Sequence, residues 1–401
     1  MGRTARDRRD LPHPKPVERI SLSEKHLSVR GAVVLLLLAL ALGALLYALT
    51  QLLSDDPGWR EISASGAQPT CAGEFTLRYD VGRTGAAASA DYKQVAACWT
   101  QACAEAYRIF SADERFDGMG NLALLNGSPN TPVQVEPALL AALRLLNEKG
   151  GRVLFLAPVY DQYRTLFGCQ NDAEALQFDP YRNADFAALL AELTSFTSDP
   201  EAVSLQFSAD GAVTLCVSQE YLSYARENGI TRFLDFYWLK NAFITDYLAE
   251  KLTERGFVYG TVDSVDGFTA NLDPRGTAVA VTLTHRSGVN VSTAGTVTFD
   301  RPLRLVRFRD YPMGETDRLY RYVFADGQAR ACYIDPADGL CRAALPELLC
   351  ASETQSCAEL ALRGFAACCA TEFDPAALTD MDAAWTDGTV HLTGSLLKTA
   401  E

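Results

Sequence analysis

Nucleophilic catalysis needs a base beside the nucleophile, and this chain is poor in bases. Only two of its four histidines, His285 and His391, lie beyond residue 30. His285 closes the strand-like run Val281-Thr282-Leu283-Thr284, and His391 sits in a last strand-like run, so both read as strand residues. No G-x-S-x-G elbow occurs. Eleven cysteines all lie beyond residue 70, with no C-x-x-C among them. Cys98 and Cys103 are five apart, Cys368 and Cys369 adjacent, and Cys332, Cys341, Cys350 and Cys357 nine, nine and seven apart. None of these is a zinc-site spacing, so they read as small buried apolar side chains with a few bridges among them. Gly118-x-Gly120-x-x-Ala123 copies a dinucleotide fingerprint but follows no clear strand. Arg301, Arg304, Arg307 and Arg309 crowd into nine residues, with Arg307 and Arg309 on one face of a strand. They read as a solvated face or as a contact for an anion. Tyr221, Tyr224, Phe233, Phe236, Tyr237 and Trp238 form a dense aromatic patch, suited to core packing or to a platform for a planar ligand or partner.

Three longer stretches bear on function together. The first is Gly120-Asn121-Leu122-Ala123-Leu124-Leu125-Asn126, then Val133-Gln134-Val135-Glu136-Pro137-Ala138-Leu139-Leu140, ending at Gly150-Gly151. The second runs from Asp235-Phe236-Tyr237-Trp238-Leu239-Lys240-Asn241 to Asp246, with Glu254-Arg255-Gly256 after it. The third is Asp310-Tyr311, Asp326-Gly327 and Cys332-Tyr333-Ile334-Asp335-Pro336-Ala337-Asp338-Gly339. In this order and spacing they resemble the FAD:protein FMN transferases, the ApbE-type flavin transferases, over roughly residues 72–397. The resemblance implies a single α+β domain and a Mg²⁺-dependent transfer of FMN from FAD to a Ser or Thr of an exported redox protein. It places Asp235, Lys240, Asp246 and Asp335 at cofactor-binding positions. The departures fall on the chemistry. The family's paired glycines, which let backbone approach a nucleotide, are Tyr237 and Trp238. The family lysine is one place early, at Lys240, with Asn241 in its slot. Cys332 stands for a histidine, and Phe308-Arg309 for Ser-Gly. The metal motif falls near Ser356 and Leu360, which lack the hard oxygen ligands Mg²⁺ takes, so no catalytic or metal set is intact.

The elements that must position these residues follow from periodicity. Asp91–Phe110 carries Val95, Trp99, Cys103, Tyr107 and Phe110 on one helical face. Glu136–Lys149 is a helix with an early proline and a Gly-Gly stop. Asn183 caps a helix to about Phe196. Val203–Phe207 and Val213–Val217 flank a hairpin turn. Gln219–Asn228 and Asp235–Arg255 read as helices, and Ser352–Ala370 as another. Glu74–Asp80, six runs between Phe257 and Ile334, and Val390–Leu397 read as strands, with Asp326-Gly327 turning the last pair of the six. A helical first half and a strand-rich second half make the fold α+β.

Composition bounds the rest. The 401 residues are 48% apolar and 21% charged, which excludes a largely disordered chain. Residues 1–30 hold eight Lys/Arg against four Asp/Glu, a net of +4, leaving −18 for the remainder. A body that acidic does not suit nucleic acid. Gly31–Leu53 is 23 residues without a charge, about 34 Å as a helix, and reads as a transmembrane signal-anchor. Basic residues before it place the N-terminus in the cytoplasm. The expected plan is a cytoplasmic basic tail (1–30), a single-pass membrane helix (31–53), a linker (54–70) and an extracytoplasmic domain (71–401). There disulfides would form, the odd cysteine count leaving a thiol over. The expected partners are an extracytoplasmic redox protein or membrane complex, reached by a membrane-anchored homologue of the transferases. The alternatives are a non-catalytic binding or scaffolding protein on the same fold, or an unrelated α+β binding domain.

Overall fold

A computed structural model describes residues 27–53 and 56–400, with side chains of the first stretch described from 31 to 46. The chain divides into two compact units, Met1–Asp55 and Asp56–Glu401. The expected membrane anchor is corrected in the first unit. Among the described residues no helix is long and apolar enough to cross a membrane. A helix does form at Leu27–Leu53. The single-pass topology, the membrane localisation, the extracytoplasmic placement of the body and attachment to membrane partners through this helix are withdrawn with it. The basic tail up to residue 26 lies outside the described residues.

The second unit is built on an eight-stranded antiparallel sheet. Its strands, in spatial order, are Gly58–Ile62, Phe75–Val81, Gly260–Ser264, Phe268–Asn271, Leu303–Arg309, Glu347–Ser352, Asp382–Thr386 and Val390–Thr393. Period-two alternation splits its two faces. Val306 and Phe308 belong to the main core, while Leu303, Leu305 and Leu349 belong to a second, smaller one. The main core is closed by helices Ala88–Phe110, Lys240–Glu254 and Cys357–Cys368. The second is closed by a three-stranded sheet of Val279–Ser287, Asn290–Phe299 and Lys398–Thr399. Helix Cys357–Cys368 lies close on the sheet because Gly364 has no side chain. A Cβ there would stand 2.6 Å from the Phe308 ring and 2.9 Å from Cys350 Sγ.

The helical first half contains Pro137–Lys149, Ala157–Gly168, Ala184–Ser198 and Gln219–Glu227, with a small sheet in which Ala212–Val217 pairs with both Pro132–Gln134 and Val203–Phe207. Local signals act as expected. Asn183 Oδ1 accepts from the backbone N–H groups of Asp185 and Phe186, and Ser356 with Glu359 forms a capping box. The α+β class stands, and so does the split into a helical and a strand-rich half. The differences have local causes. Helix Asp235–Arg255 begins only at Lys240, because Asp235–Leu239 makes a side-chain-capped turn. Helix Ser352–Ala370 begins at Cys357, because Glu347–Ser352 is a fully buried strand whose apolar run hides its period. Residues 58–62, within the stretch read as linker, form the edge strand. The eleven cysteines are all free thiols.

Candidate functional site

The site forms where the loop before helix Lys240–Glu254 meets the helical half. Helix Leu122–Asn126 ends in a buried asparagine that clamps this loop. Asn126 Oδ1 accepts from the N–H groups of Phe233 (3.0 Å) and Leu234 (2.9 Å), and its Nδ2 donates to Leu234 O at 2.8 Å. Next, the Asp235 N–H donates to Leu154 O at 3.1 Å. The Asp235 carboxylate accepts from the Tyr237 N–H at 2.8 Å and from Arg164 Nη2 at 2.8 Å. This arrangement holds Tyr237 at φ +46, a left-handed conformation rare for a bulky residue.

Tyr237 and Trp238 are both buried. The Tyr237 ring stacks on Tyr160 at 4.4 Å and tilts against Tyr320 at 5.3 Å, with the Arg164 guanidinium 5.0 Å over it. Its hydroxyl is buried without a partner, and burial pushes its pKa well above the usual phenol value. Trp238 stacks on Phe365 at 5.2 Å and meets Tyr333 edge-on at 5.5 Å.

A cleft of about 210 Å³ opens beside these rings, lined by Glu74, Tyr107, Arg164, Asp235, Tyr237 and Lys240 among others. Lys240 Nζ lies 3.1 Å from Glu74 Oε1. Asn241 Nδ2 donates to Glu74 Oε2 at 2.9 Å and to Asp266 Oδ2 at 3.1 Å. Burial raises the pKa of Asp266, against the lowering hydrogen bonds from Ser264 and Asn241. Of the four carboxylates lining the cleft, Glu74, Asp113, Glu114 and Asp235, Glu74 is paired with Lys240, Asp113 with Arg232 and Asp235 with Arg164. Neither His285 nor His391 lines the cleft. His285 Nδ1 is 3.4 Å from Thr386 Oγ1, and His391 Nε2 is 2.9 Å from Asp387.

Of the residues expected from sequence, the structure brings Asp235 and Lys240 into one cleft and leaves the other two elsewhere. Asp246 accepts from the backbone N–H groups of Cys357 (2.8 Å) and Ala358 (3.0 Å), so it caps a neighbouring helix. Asp335 accepts from the Ala337 N–H at 2.9 Å and meets Arg342 at 3.0 Å, tying its own turn. Ser356 is occupied as the cap of the same helix, and Leu360 is in the core. Among the described residues no group of three or more His, Cys, Asp or Glu side chains is gathered for a metal ion. Cys332 is buried and its thiol is pushed up to about 12 by burial, so it stays protonated near neutral pH. The sequence reading missed Glu74, Arg164 and Tyr320. Tyr160, Tyr163 and Phe167 at helical spacing are the signal that would have placed Arg164 on a helix. Glu74 meets Lys240 across 166 residues, and nothing local announces it.

The arrangement of sheet and covering helices resembles the fold of solved ApbE flavin transferases. The ApbE protein of Thermotoga maritima superposes with a TM-score of 0.55 at 13% identity, over 86% of this chain and 97% of that one. The flavin transferase ApbE of Vibrio cholerae gives 0.54 at 13% identity, over 85% and 98%. No protein-family profile matches the sequence, and no curated protein matches it.

Proposed function

We propose that this chain keeps the flavin-transferase fold as a binding or scaffolding module and does not transfer FMN. The observation that carries this reading is the pair Tyr237-Trp238, buried and stacked at the positions where the family has glycines. Backbone cannot lie against a nucleotide where two aromatic side chains are packed. The cleft supports the same reading. Its 210 Å³ is below the roughly 300–1,000 Å³ of typical small-molecule sites, and FAD is larger than most ligands of such sites. The metal positions do not fit Mg²⁺: Ser356 is spent on a helix cap and Leu360 offers no oxygen. Cys332 stands in place of the family's histidine, and Glu74, Asp113 and Asp235 of the cleft are each paired with a cation. The residues present therefore do not fit FAD in the family's pose or Mg²⁺ at the family's positions, and no reaction step is derived through either. By analogy with the family, the partner class in this proposal is a redox protein.

The test is a titration of the full chain with FAD, followed by flavin fluorescence with and without Mg²⁺, and an assay for AMP release. No saturable FAD binding and no AMP is the expected result. Tight binding with AMP release would overturn the proposal and restore the transferase reading.

A further inference from the structure

We infer that Cys71 and Cys103 form a reversible disulfide site, oxidised by a small hydroperoxide, that fastens the cleft turn bearing Glu74 to helix Ala88–Phe110. The two cysteines are 32 apart in sequence and meet in the fold. The Cys71 N–H donates to Cys103 O at 3.4 Å, and Cys71 Sγ lies 3.3 Å from the same oxygen. Two residues joined by a backbone hydrogen bond have Cα atoms roughly 5–7 Å apart, within the reach of a disulfide. The side chains also meet. The Cys103 thiol is pushed well up, first by a hydrogen bond with the Cys71 side chain and then by burial. By contrast, Cys98, Cys169, Cys216, Cys357 and Cys369 set their thiols on carbonyls of residues other than cysteine.

The two positions differ in access. Cys71 lines the cleft with Glu74 and Lys240, while Cys103 is fully buried in the core. This division suits an attacking thiol and a resolving one. The Cys71 sulfur, its proton given up, attacks one oxygen of hydrogen peroxide. The O–O bond breaks, leaving a sulfenic acid on Cys71 and a hydroxide that takes up the proton as water. The Cys103 sulfur then forms the S–S bond, the S–O bond breaks, and the hydroxyl leaves as water with the Cys103 proton. Two thiols lose two electrons, and the peroxide ends as water. The first step also removes the Cys71 thiol, whose hydrogen bond is the main reason Cys103 holds its proton. Glu74 ends the short turn Ala72–Glu74 that follows Cys71, and it meets Lys240 and Asn241 across the cleft. A bridge pins that turn to the helix, and reduction releases it.

The experiment treats the reduced full chain with hydrogen peroxide, raising the dose until the half-buried Cys216 or Cys369 is oxidised. The chain is then unfolded in denaturant with an alkylating agent, and its cysteine peptides are mapped by mass. The expected product is one pair of peptides joined through Cys71 and Cys103, restored to two thiols by dithiothreitol. Cys103→Ser should accumulate a sulfenic acid on Cys71, trapped by dimedone, whereas Cys71→Ser should leave Cys103 reduced. The bridged chain should melt about 5 °C above the reduced one, with slower amide exchange at Ala72–Glu74. If a variant does not fold, the wild-type peptide map decides. Cys71 and Cys103 both still alkylated at that dose, or either one joined to a different cysteine, would overturn the proposal.

Discussion

At position 237 two opposing terms meet in one residue. A left-handed backbone costs a non-glycine residue about 1–2 kcal/mol, while truncating a buried aromatic costs about 3–5 kcal/mol. Glycine would relieve the first and lose the second, with added chain entropy in the unfolded state. Tyr237→Gly is therefore expected to destabilise the domain by about 3 kcal/mol in denaturant unfolding. A stabilised variant would show that strain, not stacking, dominates there. Asp266 gives a pH prediction. Its carboxyl is harder to ionise in the fold, chiefly through burial, so the folded state holds its proton more tightly than the unfolded chain. Its contribution is fully present below the unfolded value of about 4 and is lost as pH rises through the raised folded pKa. Asp266→Asn cannot titrate. The stability advantage of wild type over this variant should shrink as pH rises above the unfolded value of about 4 in urea unfolding, and parallel curves would refute the linkage.

At the scale of elements, the clamp of helix Leu122–Asn126 on residues 233–234 sets the position of the cleft. Asn126→Ala removes three buried hydrogen bonds and leaves backbone groups unpaired. It should cost about 2–4 kcal/mol and raise hydrogen exchange at Phe233, Leu234 and Tyr237 more than elsewhere. Helix Cys357–Cys368 depends on caps in two ways, its own Ser356 and the carboxylate of Asp246. Ser356→Ala should cost about 1 kcal/mol, read from the unfolding midpoint. A change within error would mean that Asp246 alone satisfies the first turn. Asp246 and Asp335 both accept backbone N–H groups, a scaffold role.

At the scale of the molecule, the cysteines report on the core. Nine are buried and two, Cys216 and Cys369, half-buried, and most have thiol pKa values raised by burial. Unfolding without reductant should expose eleven titratable thiols, with native labelling confined to Cys216 and Cys369. Fewer thiols in the unfolded chain would reveal a bridge. The −18 of the residues beyond 30 is a property of the same surface, with basic side chains largely tied into ion pairs such as Arg275 with Asp80 and Asp273.

The sequence alone determined the α+β class, most helix positions and the ordered landmarks Asn126, Pro137, Asp235 and Asp335-Pro336. Caps, turns and apolar periods are local, and local physics is written in neighbouring residues. Tertiary structure decided what the candidate site residues touch. Only packing shows that Tyr237 and Trp238 are buried against rings from distant segments, that Lys240 and Asn241 both meet Glu74, and that Asp246 caps a helix 111 residues on. The strand Glu347–Ser352 and the contact of Cys71 with Cys103 were hidden for the same reason. Burial on both faces erases periodicity, and two cysteines 32 residues apart meet only after folding.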